Sequence, residues 1–184
     1  RWNNPNHKNP AVQCNYDFIL ASIHNVTGQP DFYDLDYSTC DIYALLHRYF
    51  AEMLETVKWG QFDSLAHMTY PWRYTGGEHN AMHIDYAPFR EEIDAVLREL
   101  IVRGKSLEVN TSGLRQRIGR TLPDSPILKR YQELGGKRVT LGSDAHRWAD
   151  VASGIEDGLR MLENLGFTHF ALYTGRQAEM YPIS

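Results

Sequence analysis

The chain alternates short apolar runs of strand length with longer stretches in which apolar residues recur at helical spacing. Residues 16–22 (YDFILAS), 62–66, 106–110 (SLEVN), 138–142 (RVTLG) and 169–173 are the short runs. Between the first two, Ile42, Leu45, Leu46, Tyr49, Phe50, Met53, Leu54 and Val57 fall at i, i+3, i+4 and i+7, which predicts an amphipathic helix. Ser38 or Thr39 is placed to cap it, and Gly60 closes it. Pro88 opens a second helix with Phe89, Ile93, Val96, Leu97, Leu100 and Ile101 on one stripe, ending at Gly104. A third starts at Ser125-Pro126 and stops at Gly135-Gly136. A fourth, from about Ala149, carries Val151, Ile155, Leu159, Leu162 and Leu165 and ends at Gly166.

Strands separated by helices are the mark of parallel β/α units in an α/β fold. A closed β/α barrel takes about 250 residues, whereas this chain of 184 residues supplies about five strands. The pattern therefore predicts an incomplete β/α barrel of about five units, in a single domain spanning residues 1–184. An open doubly wound sheet is the competing architecture.

The 19 basic and 23 acidic residues give a formal charge of −4, which argues against a partner recognised through bulk positive charge, nucleic acid or membrane surface. No apolar run reaches the length of a membrane span. Cys14 and Cys40 show neither CxxC spacing nor a disulfide framework, so reduced thiols in the cytoplasm are expected.

In β/α folds the chemistry collects just past the C-terminal ends of the strands. The first four runs here all end in capable side chains: His24 after the first, His67 after the second, the stretch from Glu108 to Gly113 after the third, and Asp144 and His146 after the fourth. One histidine after a strand is ordinarily a solvated loop residue; four such endings in register are a pattern. In Asp144-Ala145-His146, extended-chain alternation would turn both side chains to one site. A carboxylate with an imidazole suits Zn²⁺, Mn²⁺ or Fe²⁺. His47 lies off the apolar stripe of its helix and reads as solvated. His79 and His83 fall in a loop that can border a pocket, while His7 and His169 read as bland.

The segments ASIH (21–24), DSLAHMTYPWRY (63–74), LEVNTSGLR (107–115) and VTLGSDAH (139–146) resemble the PHP family, the polymerase and histidinol phosphatase superfamily, in its histidinol-phosphatase branch. The resemblance implies a distorted (β/α)7 TIM-like barrel that holds up to three divalent metals, Zn, Mn or Fe. It makes His24 and His67 ligands of one metal, Asp144 a ligand of a second and His146 of a third, with Asp144 and His146 at the catalytic centre. An arginine placed like Arg115 would hold the substrate phosphate, with Arg117 as its rival. The implied reaction is metal-assisted hydrolysis of histidinol phosphate to histidinol and phosphate. Another small phosphate ester, or a non-catalytic remnant that binds a metal or a partner protein, are the alternatives, and an oligomer is compatible with either. The family opens with a His-x-His strand and a metal-bridging Glu, which this sequence does not contain. About two barrel units, roughly 70–80 residues, are therefore expected ahead of it, and the resemblance makes this chain the C-terminal part of the TIM-like barrel, about five β/α units.

Overall fold

The computed structural model describes residues 14–75 and 84–183; the expectations for His7, His79 and His83 lie outside these. Four strands form one parallel sheet in the order β1-β2-β3-β4: Leu20–Ala21, Ser64–Leu65, Ser106–Asn110 and Val139–Gly142. Four helices follow them in alternation: α1 Ile42–Trp59, α2 Arg90–Val102, α3 Ser125–Glu133 and α4 Ile155–Asn164. The strand order runs sequentially with no reversal. A doubly wound sheet has a switch point where the order reverses, and none occurs among the described residues, where the sheet is open.

The core lies where the apolar stripes predicted it. Ile42, Leu45, Leu46, Tyr49, Phe50, Met53 and Val57 of α1 are buried, and so are Ile93, Val96, Leu97 and Leu100 of α2. Burying a side chain of this size contributes roughly 1.5–3 kcal/mol. Trp72, the largest fully buried side chain among the described residues, fills the space beside Phe50, Tyr86 and Phe89.

Element ends differ from the sequence expectation for identifiable reasons. The cap of α1 is Asp41, whose carboxylate accepts from Ala44 N at 3.0 Å, because Ser38 and Thr39 fold back onto Asp36 instead. Strand β1 is cut to two residues because the Asp63 carboxylate, not a strand carbonyl, accepts from Ile19 N at 2.7 Å. Strand β2 stops as the backbone turns left-handed at His67 (φ +22°). The fourth helix begins at Ile155 rather than near Ala149, since Ala152 and Gly154 both take positive φ; Val151 is consequently exposed.

The fifth run is a correction of topology. His169–Thr174 (β5) does not join the parallel sheet but pairs antiparallel with Gln177–Pro182 (β6). The hairpin turn packs on the leading ends of β1 and β2. Gly175 N donates to Asp17 Oδ1 at 2.9 Å, Arg176 N donates to Asp17 O at 2.9 Å, and Arg176 Nε lies 2.6 Å from the buried Asp63 carboxylate. Two glycine-free strands joined by Gly175 and Arg176, both at positive φ, favour a tight hairpin over a crossover.

Candidate active site

A cavity of about 960 Å³ opens over the C-terminal ends of the parallel strands, and His24, His67, Asp144 and His146 all line it. The register of β1 with β2, Ala21 opposite Leu65, brings the loops that follow them side by side. The Nε2 atoms of His24 and His67 stand 3.3 Å apart. Two nitrogens bound to one tetrahedral ion at ~2.0–2.1 Å are separated by about 3.4 Å, so the separation suits two ligands of one zinc-sized ion as well as the hydrogen bond the two rings share here. His67 is buried, and its Nδ1 has no hydrogen-bond partner among the described residues. Burial first, and the nearby Arg73 guanidinium next, hold its pKa down at about 4, so the ring keeps its lone pair at neutral pH. Among the described residues no three His, Cys, Asp or Glu side chains are gathered closely enough to hold an ion unaided.

Asp144 and His146 do not alternate along an extended strand as expected. Asp144 is left-handed (φ +50°), and its own carbonyl accepts from His146 Nδ1 at 3.0 Å. A carbonyl can only accept, so Nδ1 carries the hydrogen and Nε2 is the lone-pair nitrogen of His146. Burial opposes the charge of Asp144, but Arg73 Nη2, 2.7 Å from Oδ2, outweighs it and holds the carboxyl below the usual carboxylate range.

Arg115 sits elsewhere than expected. It does not line the cavity; its Nη1 and Nη2 donate to the carbonyls of Ser143 and Asp144 at 2.7 and 3.0 Å, and its Nε lies 3.6 Å from Asp150. The arginine in the cavity is Arg73, buried over the Tyr70 ring. Sequence reasoning missed it because the loop after the second strand reads only as polar and aromatic. The structure winds that loop into helical turns, with Arg73 N bonded to Tyr70 O, so Tyr70 and Arg73 share a face. Tyr70 in turn packs on both histidines, with ring centroids 4.5 Å from His24 and 5.2 Å from His67.

Glu108 opens the stretch singled out after the third strand, but no role was assigned to it. A charged residue at the centre of a strand buried along its whole length is an unusual placement, and that was the available signal. Its Oε2 accepts from His67 N at 2.8 Å and from Asn110 Nδ2 at 3.1 Å, while burial pushes its carboxyl up to about 7. Asn110 Oδ1 accepts from Ser112 Oγ, and Ser112 Oγ accepts from Arg73 Nη2 at 2.6 Å. One hydrogen-bond network thus runs from His67 through Glu108, Asn110, Ser112 and Arg73 to Asp144. Of the remaining histidines, His47 is not simply solvated but pairs with Glu92 across α1 and α2, and His169 Nδ1 bonds to the neighbouring Thr168 hydroxyl. Cys14 and Cys40 are both free thiols, the former exposed.

A parallel β/α sheet with paired imidazoles, a carboxylate and an arginine at its strand ends defines a class of site suited to phosphate-ester chemistry. The chain matches the PHP domain over residues 5–112, and it belongs to that family. It is 33% identical over 159 residues to the probable histidinol-phosphatase of Thermotoga maritima, covering 85% of this chain and 60% of that protein. It is likewise 33% identical over 151 residues to the probable histidinol-phosphatase of Clostridium acetobutylicum, covering 81% and 58%. The crystal structure of histidinol phosphate phosphatase from Lactococcus lactis, complexed with zinc, L-histidinol and phosphate, superposes with a TM-score of 0.72 at 26% identity, over 90% of this chain and 63% of that one. The chain therefore spans about three fifths of the length of the relatives it matches.

Proposed function

We propose that this chain is part of a metal-dependent phosphomonoesterase that hydrolyses histidinol phosphate, built as one distorted seven-unit β/α barrel domain. The observation that carries the reading is the 3.3 Å separation of His24 and His67 Nε2 in a cavity that also holds Arg73. The names of the relatives, and the zinc, histidinol and phosphate bound by the Lactococcus lactis enzyme, support it. The pair of free thiols fits a cytoplasmic enzyme.

In this reading His24 and His67 hold one divalent ion through Nε2, while Asp144 Oδ and His146 Nε2 serve further ions. Imidazole and carboxylate donors suit Zn²⁺, Mn²⁺ or Fe²⁺, and zinc is chosen because the Lactococcus lactis enzyme was crystallised with it. A bound divalent ion supplies Lewis-acid charge to the phosphoryl oxygens. Arg73 adds a fixed cation in a partly dry cavity, where charge stabilisation is worth more than in water. Because Arg73 keeps Asp144 ionised, the carboxylate is available as a ligand at neutral pH. The His67–Glu108–Asn110–Ser112–Arg73 network holds these groups in place before substrate arrives.

The test is steady-state hydrolysis by the intact protein of L-histidinol phosphate against a panel of sugar and nucleotide monophosphates, with Arg73→Ala alongside. The reading expects histidinol phosphate to lead in kcat/KM, and Arg73→Ala to lower it by ~10²–10³, about 3–4 kcal/mol of transition-state stabilisation. A sugar or nucleotide phosphate in first place would keep the chemistry and replace the substrate. No phosphatase activity in the zinc-loaded protein would overturn both.

A further inference from the structure

We infer that Glu108 and Arg115 are positioning residues that hold His67 and Asp144 in left-handed backbone conformations, each by gripping peptide groups at the strained residue itself. The inference rests on the phosphoesterase reading only for what the two held residues do.

His67 (φ +22°) and Asp144 (φ +50°) are two of four non-glycine residues with positive φ among those described. That region is costly for any residue with a Cβ, and it persists at a site only where the surroundings over-determine it. At His67 the constraint is Glu108, whose Oε2 accepts the His67 N–H at 2.8 Å from inside the protein. The acid is fixed in turn by Asn110 Nδ2. At Asp144 the constraint is Arg115, whose planar fork reaches two successive carbonyls, Ser143 O at 2.7 Å and Asp144 O at 3.0 Å. A lysine cannot reproduce that fork. The Asp144 carbonyl also receives His146 Nδ1, so Arg115 acts on the orientation of both residues. Glu108 lies on β3 and Arg115 in the 3₁₀ turn Ser112–Arg115 just after it. One strand and its exit loop therefore set the backbone of the two loops on either side.

The experiment uses the intact protein with Glu108→Ala, Glu108→Gln, Arg115→Ala, Arg115→Lys and, for loss of charge at the same turn, Arg117→Ala. Amide hydrogen exchange at residues 66–68 and 143–146 reads the backbone directly. Zinc affinity by competition dialysis, kcat and KM for histidinol phosphate, and inhibition by inorganic phosphate read the consequences. Glu108→Ala should speed exchange of the His67 amide, whereas Glu108→Gln, which retains an acceptor oxygen, should leave it slow. Arg115→Ala and Arg115→Lys should loosen residues 143–146 and lower zinc affinity and kcat by about 10–100-fold. KM and phosphate inhibition should stay within about threefold, and Arg117→Ala should behave as wild type. Weakened phosphate inhibition and raised KM in Arg115→Ala, with zinc affinity and exchange unchanged, would make Arg115 a phosphate ligand and overturn the inference. Glu108→Gln exchanging as fast as Glu108→Ala would overturn it at His67, as would Arg117→Ala matching Arg115→Ala at Asp144. Exchange and zinc affinity need no substrate, so a protein inactive on every phosphate ester tried would refute the proposed reaction while these readouts still judged the backbone roles.

Discussion

Glu108 and Gly142 face each other across β3 and β4, and a Cβ at position 142 would overlap the Glu108 carboxylate. The register sets Glu108 opposite Thr140 and Asn110 opposite Gly142, so the acid leans diagonally towards the strand end and occupies the volume that the glycine leaves open. A buried carboxylate can bond His67 N there only because the facing residue has no side chain. Gly142→Ala should displace it, costing about 1–3 kcal/mol of stability by overpacking and at least ~10-fold in kcat/KM. Urea unfolding and steady-state kinetics check this; wild-type values in both would show that the carboxylate does not need the space.

Tyr70 touches three of the groups that the proposed reaction uses. Its ring centroid lies 4.5 Å from that of His24, 5.2 Å from that of His67 and 5.2 Å from Arg73 Cζ, while its hydroxyl donates to Asp31 Oδ1 at 2.8 Å. Tyr70→Phe keeps the ring and loses the hydroxyl's bonds to Asp31 and Tyr74, each worth about 1 kcal/mol of stability; neither partner is one of the reacting groups, so activity should stay within roughly threefold. Tyr70→Leu removes the surface on which both imidazoles rest and should weaken zinc binding by about 10-fold or more. Equal effects of the two variants would mean that the hydroxyl, not the ring, is what matters.

The hairpin of β5 and β6 is held to the sheet through Arg176 and Asp63. Arg176→Ala leaves the buried Asp63 carboxylate with Ile19 N as its remaining close partner, and should cost about 1–3 kcal/mol in urea unfolding. The strand-end groups lie at the other end of the sheet, so zinc affinity should change little. A loss of zinc binding with unchanged stability would contradict the anchoring role.

How far the sequence could be read depended on whether the information was local. The stripe from Ile42 to Val57 is a periodic signal and SLEVN a run of strand length, and both elements formed where expected. His24 and His67 were legible because each follows a strand in register with its neighbour. Arg73 was not, because its place in the cavity depends on a helical turn inside a loop with no apolar period. Arg115 was expected at the substrate phosphate, but its guanidinium donates to the carbonyls of Ser143 and Asp144 outside the cavity lining, and no local pattern marks distant backbone carbonyls as its partners. The β5–β6 pairing was missed because an apolar run marks a strand without fixing its partner.

The central claim is that His24 and His67 are two ligands of one catalytic ion. Crystals of the intact protein grown with zinc, and anomalous difference maps measured on either side of the zinc edge, test it most directly. The account predicts a zinc peak at ~2.0–2.1 Å from Nε2 of both residues, lost in a His24→Ala, His67→Ala double variant. Zinc bound elsewhere in the cavity, with the two imidazoles still sharing a hydrogen bond, would contradict it.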